Sequence, residues 1–403
     1  MKAQDADHVL TLNAGSSSIK FALFGCADGV ARLRLGGLVD GLGSRARLRV
    51  NHAGGGIAHD GPLAGFGAAA PTHADGLAAI LAALKEHAAD AKVAVVGHRI
   101  VHGGTGFDHP VVIDDAVLEA IAGLEPLAPL HQPHNRAGVQ AAMAAFPRVP
   151  QVACFDTAFH RSQPELNQRF AIPRALHDRG VRRYGFHGLS YESICARLGA
   201  EDGGTARGRI VVAHLGNGAS LCAIRDGRSV ATTMSFSPLD GLPMGTRCGR
   251  LDAAVVLYLL ERESMGAARI ATLLYRESGL AGLSGISGDM RELAASPDAA
   301  AREAIDYFVE HACREIAAMV AALDGLDRLV FTGGIGENFA AVRARIVGRL
   351  AWTGLALDAG ANDRGAATIS APSSAIEARV MHTDEEGVIA RHAARAIGIV
   401  LRD

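Results

Sequence analysis

The segment HVLTLNAGSSSIKFALF, residues 8–24, determines how the first half of the chain folds. Two largely apolar runs, 8–13 and 19–24, flank a turn that contains one glycine and three serines. Apolar runs of this length on both sides of turn-forming residues are typical of two antiparallel strands. The sequence therefore predicts that the chain opens with a β-hairpin that has a polar tip.

The same pattern returns near the middle of the chain. Residues 209–215 form an apolar run, 216–218 (Gly-Asn-Gly) a tight turn, and 219–224 and 229–233 two returning strands. Each half thus opens with a hairpin whose turn is rich in Gly, Ser or Asn, and helical patterns follow in both halves. Such a recurrence predicts a duplicated α/β domain.

The other predicted elements follow from hydrophobic periodicity and from capping and turn residues. Further strands are predicted at 33–38, 46–50, 93–101 and 327–331, and a glycine-rich loop at 53–67. Helices are predicted at 75–87, 114–122, 135–146, 339–350 and 384–397, and helices dominate 252–324. We expect the last helix to pack back on the first domain.

Length and composition limit the classes of function. A chain of 403 residues exceeds the usual size of one hydrophobic core, so two domains are expected. The net charge of −2, from 40 basic and 42 acidic residues, gives no field for nucleic acid or an anionic membrane, so the partner should be small. The six cysteines form no C-x-x-C pair, which predicts neither zinc nor disulfides. The first ten residues lack a secretory pattern and 255–260 is too short to span a bilayer, which predicts a cytoplasmic protein.

Three glycine-rich turns follow strands, at 13–20, 214–220 and 332–338. Small residues let backbone N–H groups approach a ligand closely, which suits phosphate. One such turn is equally typical of an ordinary polar hairpin, but three of them indicate contacts to the phosphates of a nucleotide. None matches the P-loop pattern G-x-x-x-x-G-K-[ST], nor G-x-G-x-x-G with the acidic partner of a dinucleotide fold.

Phosphoryl transfer requires cations, a metal held by carboxylates and an in-line acceptor. Arg99 lies on the polar side of an apolar strand and Arg247 lies in a glycine-flanked loop. Asp156 ends an apolar run, and residues 384–386 are acidic at a helix start. Two histidines lie between turn-forming residues, His131 and His187. Each group alone is more typical of an ion pair, a scaffold or a helix cap, and only their combination favours catalysis.

Together these segments resemble the acetate kinase (acetokinase) family, within the superfamily of acetate and sugar kinases, heat-shock ATPases and actin. The resemblance rests on nine blocks in order: NAGSSSIK at 13–20, GHRIVHGG at 97–104, APLH at 128–131, FDTAFH at 155–160, YGFHG at 184–188, HLGNGAS at 214–220, PLDGLPMGTR at 238–247, SGDMR at 287–291 and TGGIGEN at 332–338. One block would be weak evidence, whereas nine that span nearly the whole chain are specific.

The resemblance implies an α/β fold of two duplicated ribonuclease H-like (actin-like ATPase) domains with a cleft between them. It places an N-terminal domain at 1–155 plus 386–403, and a nucleotide-binding and dimerisation domain at 156–385. The implied reaction is the Mg²⁺-dependent, reversible transfer of the γ-phosphoryl group of ATP to acetate, which gives acetyl phosphate and ADP by direct in-line displacement. Mn²⁺ is an alternative metal, and the implied assembly is a homodimer.

The resemblance also implies the roles of single residues. The metal would be held by Asn13, Asp156 and Glu385. The catalytic groups would be Asp156, Arg99, Arg247 and His187, with His131, His187 and Arg247 as transition-state stabilisers. Acetate would be bound by Arg99, Val101, Leu130, Phe186 and Pro238. ATP would be bound by Ser16, Ser18, Lys20, His214, Leu215, Gly216, Asn217, Gly218, Asp289, Met290, Arg291, Gly334, Ile335, Gly336, Glu337 and Asn338.

This sequence departs from the family pattern near the implied site. Leu189 and Tyr191 replace the threonine and second histidine of H-G-T-S-H, and Arg250 replaces the first aspartate of G-D-I-D. Asp384 stands where T-N-E-E has asparagine, and Gln132 where asparagine is common. None of these changes removes an implied catalytic group, so we expect activity, while the acceptor preference and rate stay open.

Two alternative functions remain at this point. A propionate kinase differs by one methylene in the acceptor, which an apolar pocket discriminates by only about 1–3 kcal/mol. The matched pocket residues disfavour butyrate kinase. A nucleotide-dependent, chaperone-like ATPase of the same fold belongs to a different class, and the lack of an obvious appended substrate-binding domain disfavours it.

Overall fold

The structure is a computed structural model that describes residues 7–63 and 70–401. Residues 64–67 of the predicted loop 53–67 lie outside the described residues. The described strands are β1 (Asp7–Ala14), β2 (Ser18–Ala27), β3 (Val30–Asp40), β4 (Arg47–His52), β5 (Ile57–Pro62), β6 (Lys92–Ile100), β7 (Val111–Val112), β8 (Gln151–Phe155), β9 (Arg209–Leu215), β10 (Ala219–Arg225), β11 (Arg228–Thr232), β12 (Arg328–Thr332) and β13 (Glu377–Val380).

The described α-helices are α1 (His73–His87), α2 (Asp115–Gly123), α3 (Gln132–Ala145), α4 (Glu165–Gln168), α5 (Arg174–Asp178), α6 (Gly188–Asp202), α7 (Ala253–Glu261), α8 (Ala267–Arg276), α9 (Gly279–Ser284), α10 (Met290–Ala295), α11 (Ala299–Leu323), α12 (Gly333–Asn338), α13 (Ala340–Arg349), α14 (Ala359–Asp363) and α15 (Glu385–Ala396). Short 3-10 helices occur at Glu125–Leu127, Ala158–Ser162 and Ala351–Thr353. Among the described residues, no helix combines the length and apolar character needed to cross a membrane.

The chain divides into two compact units. Unit 1 comprises the described residues of Met1–Ala158 and Asp384–Asp403, and unit 2 comprises Phe159–Thr383. Compared with the boundaries expected from the sequence, this division moves Asp156 and Glu385 from the second domain to the first. Asp156 follows β8 directly, and its backbone N–H donates to Ile100 of β6 at 3.0 Å. Glu385 begins α15, which packs on β1, β6 and β8.

The sheet of unit 1 has the strand order β5-β4-β3-β2-β1-β6-β8-β7. The central strands β1, β6 and β8 are parallel, and the other pairs are antiparallel. One face packs on α1 and α3 through buried apolar side chains such as Leu10, Phe21 and Ile80. On β6, a Cβ at Gly97 would lie 2.6 Å from the Ile389 side chain, so only glycine lets α15 approach this closely. The predicted packing of the last helix on the first domain is confirmed.

The sheet of unit 2 has the strand order β11-β10-β9-β12-β13. Buried apolar residues of α6, such as Ile194 and Leu198, pack with Ile210 and Val212 of β9. The long helix α11 contacts β9, β10 and β11 and buries an apolar stripe that includes Phe308. Each sheet face of hydrophobic residues is thereby covered by a helix, as a layered α/β fold requires.

The two sheets repeat one arrangement. The order β3-β2-β1-β6-β8 of unit 1 matches β11-β10-β9-β12-β13 of unit 2, with two antiparallel pairs followed by two parallel pairs in both. The predicted duplicated α/β fold is therefore confirmed. One local expectation is corrected, because residues 333–338 form α12 rather than a turn. Gly333 makes this possible at φ +77°, where a Cβ would lie 2.7 Å from the Leu215 carbonyl oxygen.

Two buried histidines predict a loss of stability in acid. His98 of unit 1 bonds to Gln151, and His160 of unit 2 bonds to Ser229 and to the Phe186 carbonyl. Burial lowers the pKa of each histidine to about 4. Because the unfolded chain binds these protons near pH 6.5, the contribution of the neutral rings is complete above that pH and is lost as the pH falls toward 4. We expect each ring to contribute about 3 kcal/mol to this loss.

Urea unfolding between pH 7 and pH 4.5 tests this expectation. His98→Gln and His160→Gln should each flatten the pH dependence of the free energy of unfolding, because a neutral amide has no proton to bind. His52→Gln is the control, since His52 is exposed. Wild-type slopes in both buried-site variants would contradict the assignment.

Candidate active site

Unit 1 gathers polar side chains at the carboxyl ends of three neighbouring strands. Arg99 near the end of β6 donates from Nε to both carboxylate oxygens of Asp156, each at 3.1 Å. Its Nη1 donates to Oδ1 of Asn13, at the end of β1, at 3.2 Å. Asp156 is only 1% exposed. Because β1, β6 and β8 are parallel, residues that follow each strand meet at one edge of the sheet.

Carboxylates at the start of α15 complete this cluster. Burial raises the pKa of Glu385 to about 7, and the charges of Asp156 and Glu386 act in the same direction against the attraction of Arg99. Glu386 forms an ion pair with Lys20 at 2.8 Å. Burial favours the neutral form of Arg99, but Asp156 and Glu385 more than offset it, so the pKa of the guanidinium lies above its usual value. The cluster holds more acidic than basic groups and is suited to a cation.

The β1–β2 turn is fixed beside this cluster. The N–H of Gly15 donates to the Ser18 carbonyl at 2.8 Å and closes the turn, with Ser16 exposed at its tip. Asn135 of α3, which sequence reasoning did not select, donates to the Ala14 carbonyl at 2.7 Å and accepts from the Val101 N–H at 2.9 Å. This buried amide therefore connects the end of β1 to the segment after β6. Leu130 and His131 lie at the start of the same helix.

In unit 2, the turn between β9 and β10 meets a histidine and an arginine. A Cβ at Gly218 would lie 3.3 Å from Nε2 of His187 and 3.8 Å from Nη1 of Arg247. Arg247 donates to the Pro238 carbonyl at 2.9 Å. The His187 ring stacks on His214 with the ring centres 4.3 Å apart. Because Gly218 has no side chain, the space next to the His187 and Arg247 side chains stays open.

Two unusual backbone conformations hold this arrangement. His187 precedes α6 at φ +59°, a left-handed conformation that non-glycine residues rarely adopt and that is common at functional sites. Gly185 stands at φ +87°, where a Cβ would lie 2.5 Å from the His160 ring. In the loop that carries Arg247, a Cβ at Gly245 would lie 2.1 Å from Oδ1 of Asn217. The loop is therefore packed directly against the β9–β10 turn.

A cavity of about 580 Å³ opens in unit 2. It is lined by Gly216, Asn217, Gly288, Asp289, Met290, Arg291, Gly334, Ile335, Asn338 and Phe339. Three predicted nucleotide segments, from the β9–β10 turn, the start of α10 and α12, thus converge on one space. Gly288 and Phe339 were missed by sequence reasoning, although both adjoin predicted residues.

Several predicted ligand residues do not line this cavity. Leu215 is a fully buried strand residue, and Gly336 packs on the backbone of β12. Glu337 accepts from the hydroxyl of Thr332 at 3.1 Å and from the N–H of Gly333 at 3.0 Å, so it fixes the start of α12. The predicted acetate pocket draws Val101 and Leu130 from unit 1 and the buried Phe186 with Pro238 from unit 2, and it stays a prediction.

The departures from the family pattern have structural roles here. Asp384 caps α15 by accepting from the Gly387 N–H at 2.9 Å, and Gln132 is buried on the backbone of His102. Arg250 pairs with Glu315 of α11 at 2.8 Å. Leu189 and Tyr191 are both buried in α6.

A duplicated sheet of this order, with an acidic cluster at parallel strand ends in one unit and a glycine-rich cavity in the other, is the arrangement expected of a phosphotransferase of the actin-like ATPase fold. The model of the acetokinase family matches residues 8–391. The acetate kinase of Methylocella silvestris is 52% identical over 391 residues, which cover 95% of this chain and 96% of that protein.

Solved structures agree with this match. The acetate kinase of Porphyromonas gingivalis is 35% identical with a TM-score of 0.85, and the alignment covers 97% of this chain and 100% of that one. A propionate kinase from Francisella tularensis is 34% identical with a TM-score of 0.89, covering 96% and 99%. The chain belongs to the acetokinase family, which confirms the family predicted from the nine sequence blocks.

Proposed function

We propose that this protein transfers the γ-phosphoryl group of ATP reversibly to acetate and forms acetyl phosphate and ADP. The observation that carries the proposal is the meeting of His187 and Arg247 at Gly218, in the turn that also lines the cavity. The cytoplasmic location expected from the sequence stays a prediction. It is compatible with ATP as the phosphoryl donor.

His187 and Arg247 would stabilise the charge that spreads over the equatorial oxygens of the transferring group. No covalent enzyme intermediate is required, because a carboxylate is itself a competent nucleophile and catalysis consists of alignment and charge neutralisation. Arg99 would orient the acceptor carboxylate. Its contacts to Asp156 and Asn13 fix the guanidinium plane. A guanidinium has five N–H donors in total, which is more than these contacts occupy.

Asn13, Asp156 and Glu385 fit a magnesium ion, with Mn²⁺ as an alternative. Carboxylate and amide oxygens are the hard ligands that Mg²⁺ prefers. Burial and the neighbouring carboxylates raise the pKa of Glu385, so a bound cation would favour its charged form. Among the described residues, no three His, Cys, Asp or Glu side chains are grouped to hold a metal. When bound, the ion would neutralise charge on the phosphate oxygens.

Propionate kinase is the second candidate, because one similar solved structure bears that name. The deciding measurement is ADP formation with ATP and magnesium in the presence of acetate, propionate or no acid. We expect acetate to exceed propionate in kcat/KM by about tenfold or more, the difference that one methylene provides. A preference for propionate would favour the second candidate. ADP formation that is indifferent to added acid would instead identify an ATPase.

We further propose that two copies of the chain associate through α7. This helix, AAVVLYLLE, buries none of its residues within the unit, and Leu257 and Tyr258 are 55% and 54% exposed. An exposed apolar helix of this kind is typical of an interface, and the family resemblance implies a homodimer.

Sedimentation or light scattering tests the oligomeric state. We expect a dimer for the wild type and a monomer for Leu257→Glu, because a buried unpaired charge opposes association. Val400→Glu, at a more exposed apolar residue of unit 1, should stay dimeric. A monomeric wild type would contradict the proposal.

A further inference from the structure

The second histidine of the family pattern is a tyrosine in this chain. Tyr191 lies in the first turn of α6, four residues after His187, which precedes the helix. The Tyr191 side chain is fully buried and contacts the core of unit 2. A buried phenol requires a hydrogen-bond partner for its hydroxyl.

The hydrogen-bond partner of Tyr191 is also hydrogen-bonded to His187. The Tyr191 hydroxyl lies 2.5 Å from Oγ of Ser220, and the same Oγ lies 2.9 Å from Nδ1 of His187. Ser220 is fully buried in β10, directly after the turn that contains Gly218. Tyr191, Ser220 and His187 therefore form a continuous chain of hydrogen bonds that ends at the imidazole ring.

Relative acidity favours one direction for this chain. A serine hydroxyl has one proton, so when it accepts from one neighbour it can donate to the other. The phenol, with an ordinary pKa of about 10, is a far stronger acid than the serine hydroxyl and is the better donor. Tyr191 then donates to Ser220, and Ser220 donates to Nδ1 of His187. In this direction, the proton of a neutral imidazole resides on Nε2.

We infer that Tyr191 is a positioning residue that acts through Ser220 and holds His187 in the tautomer with its proton on Nε2. Nε2 is the atom that faces Gly218 beside Arg247. In this tautomer the ring presents a donor toward the space that a phosphoryl oxygen would occupy. The opposite tautomer would present a lone pair there and repel the oxygen. This consequence for catalysis rests on the proposed function, whereas the tautomer itself does not.

The neighbouring histidine, His214, also has a serine hydroxyl at Nδ1. Nδ1 of His214 lies 2.8 Å from the hydroxyl of Ser190, and its ring stacks on His187. Each ring therefore has a serine hydroxyl at Nδ1.

The test reads the tautomer directly by long-range ¹H–¹⁵N correlation of the ring nitrogens, with His187→Gln to assign the signals. In the wild type we expect a proton on Nε2 and a lone pair on Nδ1. Tyr191→Phe should give a mixture of both tautomers and lower kcat by about tenfold, while KM for ATP stays within about twofold, because one buried hydrogen bond is lost. Tyr191→His, the family residue, should restore both readouts.

Tyr184→Phe is the matched control. The Tyr184 hydroxyl is also largely buried and donates to the Gly180 carbonyl at 2.7 Å, outside the chain of hydrogen bonds. This variant should keep the wild-type tautomer and kcat. If Tyr191→Phe fails to fold, Ser220→Ala removes the middle member of the chain and is read in the same way.

A wild-type His187 with its proton on Nδ1 would overturn the inference. So would a Tyr191→Phe protein that keeps the Nε2 proton and the wild-type kcat. If the protein phosphorylates no carboxylic acid, the proposed function fails, yet the spectra still decide the tautomer. The two failures are therefore distinguishable.

Discussion

Replacing Arg247 with alanine is expected to lower kcat/KM for acetate phosphorylation by about 10³-fold, because a cationic donor to the transition state is lost. The guanidinium is held beside Gly218 and the Pro238 carbonyl, where the transferring group would develop negative charge. Its side chain is only half-buried, so the free energy of unfolding should change little. Coupled assays of ADP formation and urea unfolding measure the two quantities separately.

Arg250→Ala provides the control for a lost charge in the same loop. Arg250 is three residues further along, and its largely exposed side chain pairs with Glu315. Its removal should change kcat/KM by less than about fivefold, because its ion pair with Glu315 of α11 involves none of the proposed catalytic groups. Near-wild-type turnover of Arg247→Ala, or an equal loss in both variants, would reject the role of Arg247.

The hairpins could be predicted from the sequence because the relevant interactions are local. The strand predicted at 209–215 coincides with β9, since an apolar run stops at a turn of glycine and asparagine. By contrast, β5 lies inside the predicted loop 53–67. Its sequence IAHDGP has no strong strand signal, and the strand forms only by pairing with β4. Pairing across the sheet cannot be read from neighbouring residues.

Side-chain chemistry at the site was partly visible in the sequence. Asn13 and Arg99 lie near the ends of strands and Asp156 directly follows one, and the parallel order of those strands brings them together. The connecting residues Asn135 and Ser220 carried no such signal. Asn135 contacts Ala14 and Val101, which are 121 and 34 residues away. Only the packing of α3 against β1 and β6 reveals that role.

Arg99→Ala should differ from Arg247→Ala because it affects both stability and activity. Asp156 is almost completely buried and is held by Arg99, so removing the arginine leaves a buried carboxylate without its cation. Such a loss typically costs about 3–5 kcal/mol. Hydrogen exchange should therefore accelerate in β6 and β8 of unit 1, where the pair is located. We expect kcat/KM to fall by about 10³-fold as well, because the acceptor carboxylate would lose its proposed partner.

The double variant Arg99→Ala, Asp156→Asn separates the two effects. An amide carries no charge, so replacing Asp156 removes the desolvated anion and should recover much of the lost stability. Activity should not recover, since both the acceptor-binding cation and a proposed metal ligand are absent. Additive losses of stability in the double variant would mean that the two side chains are not coupled. Recovery of activity together with stability would mean that Arg99 only supports the fold, and the assignment of the unit 1 cluster to catalysis would be wrong.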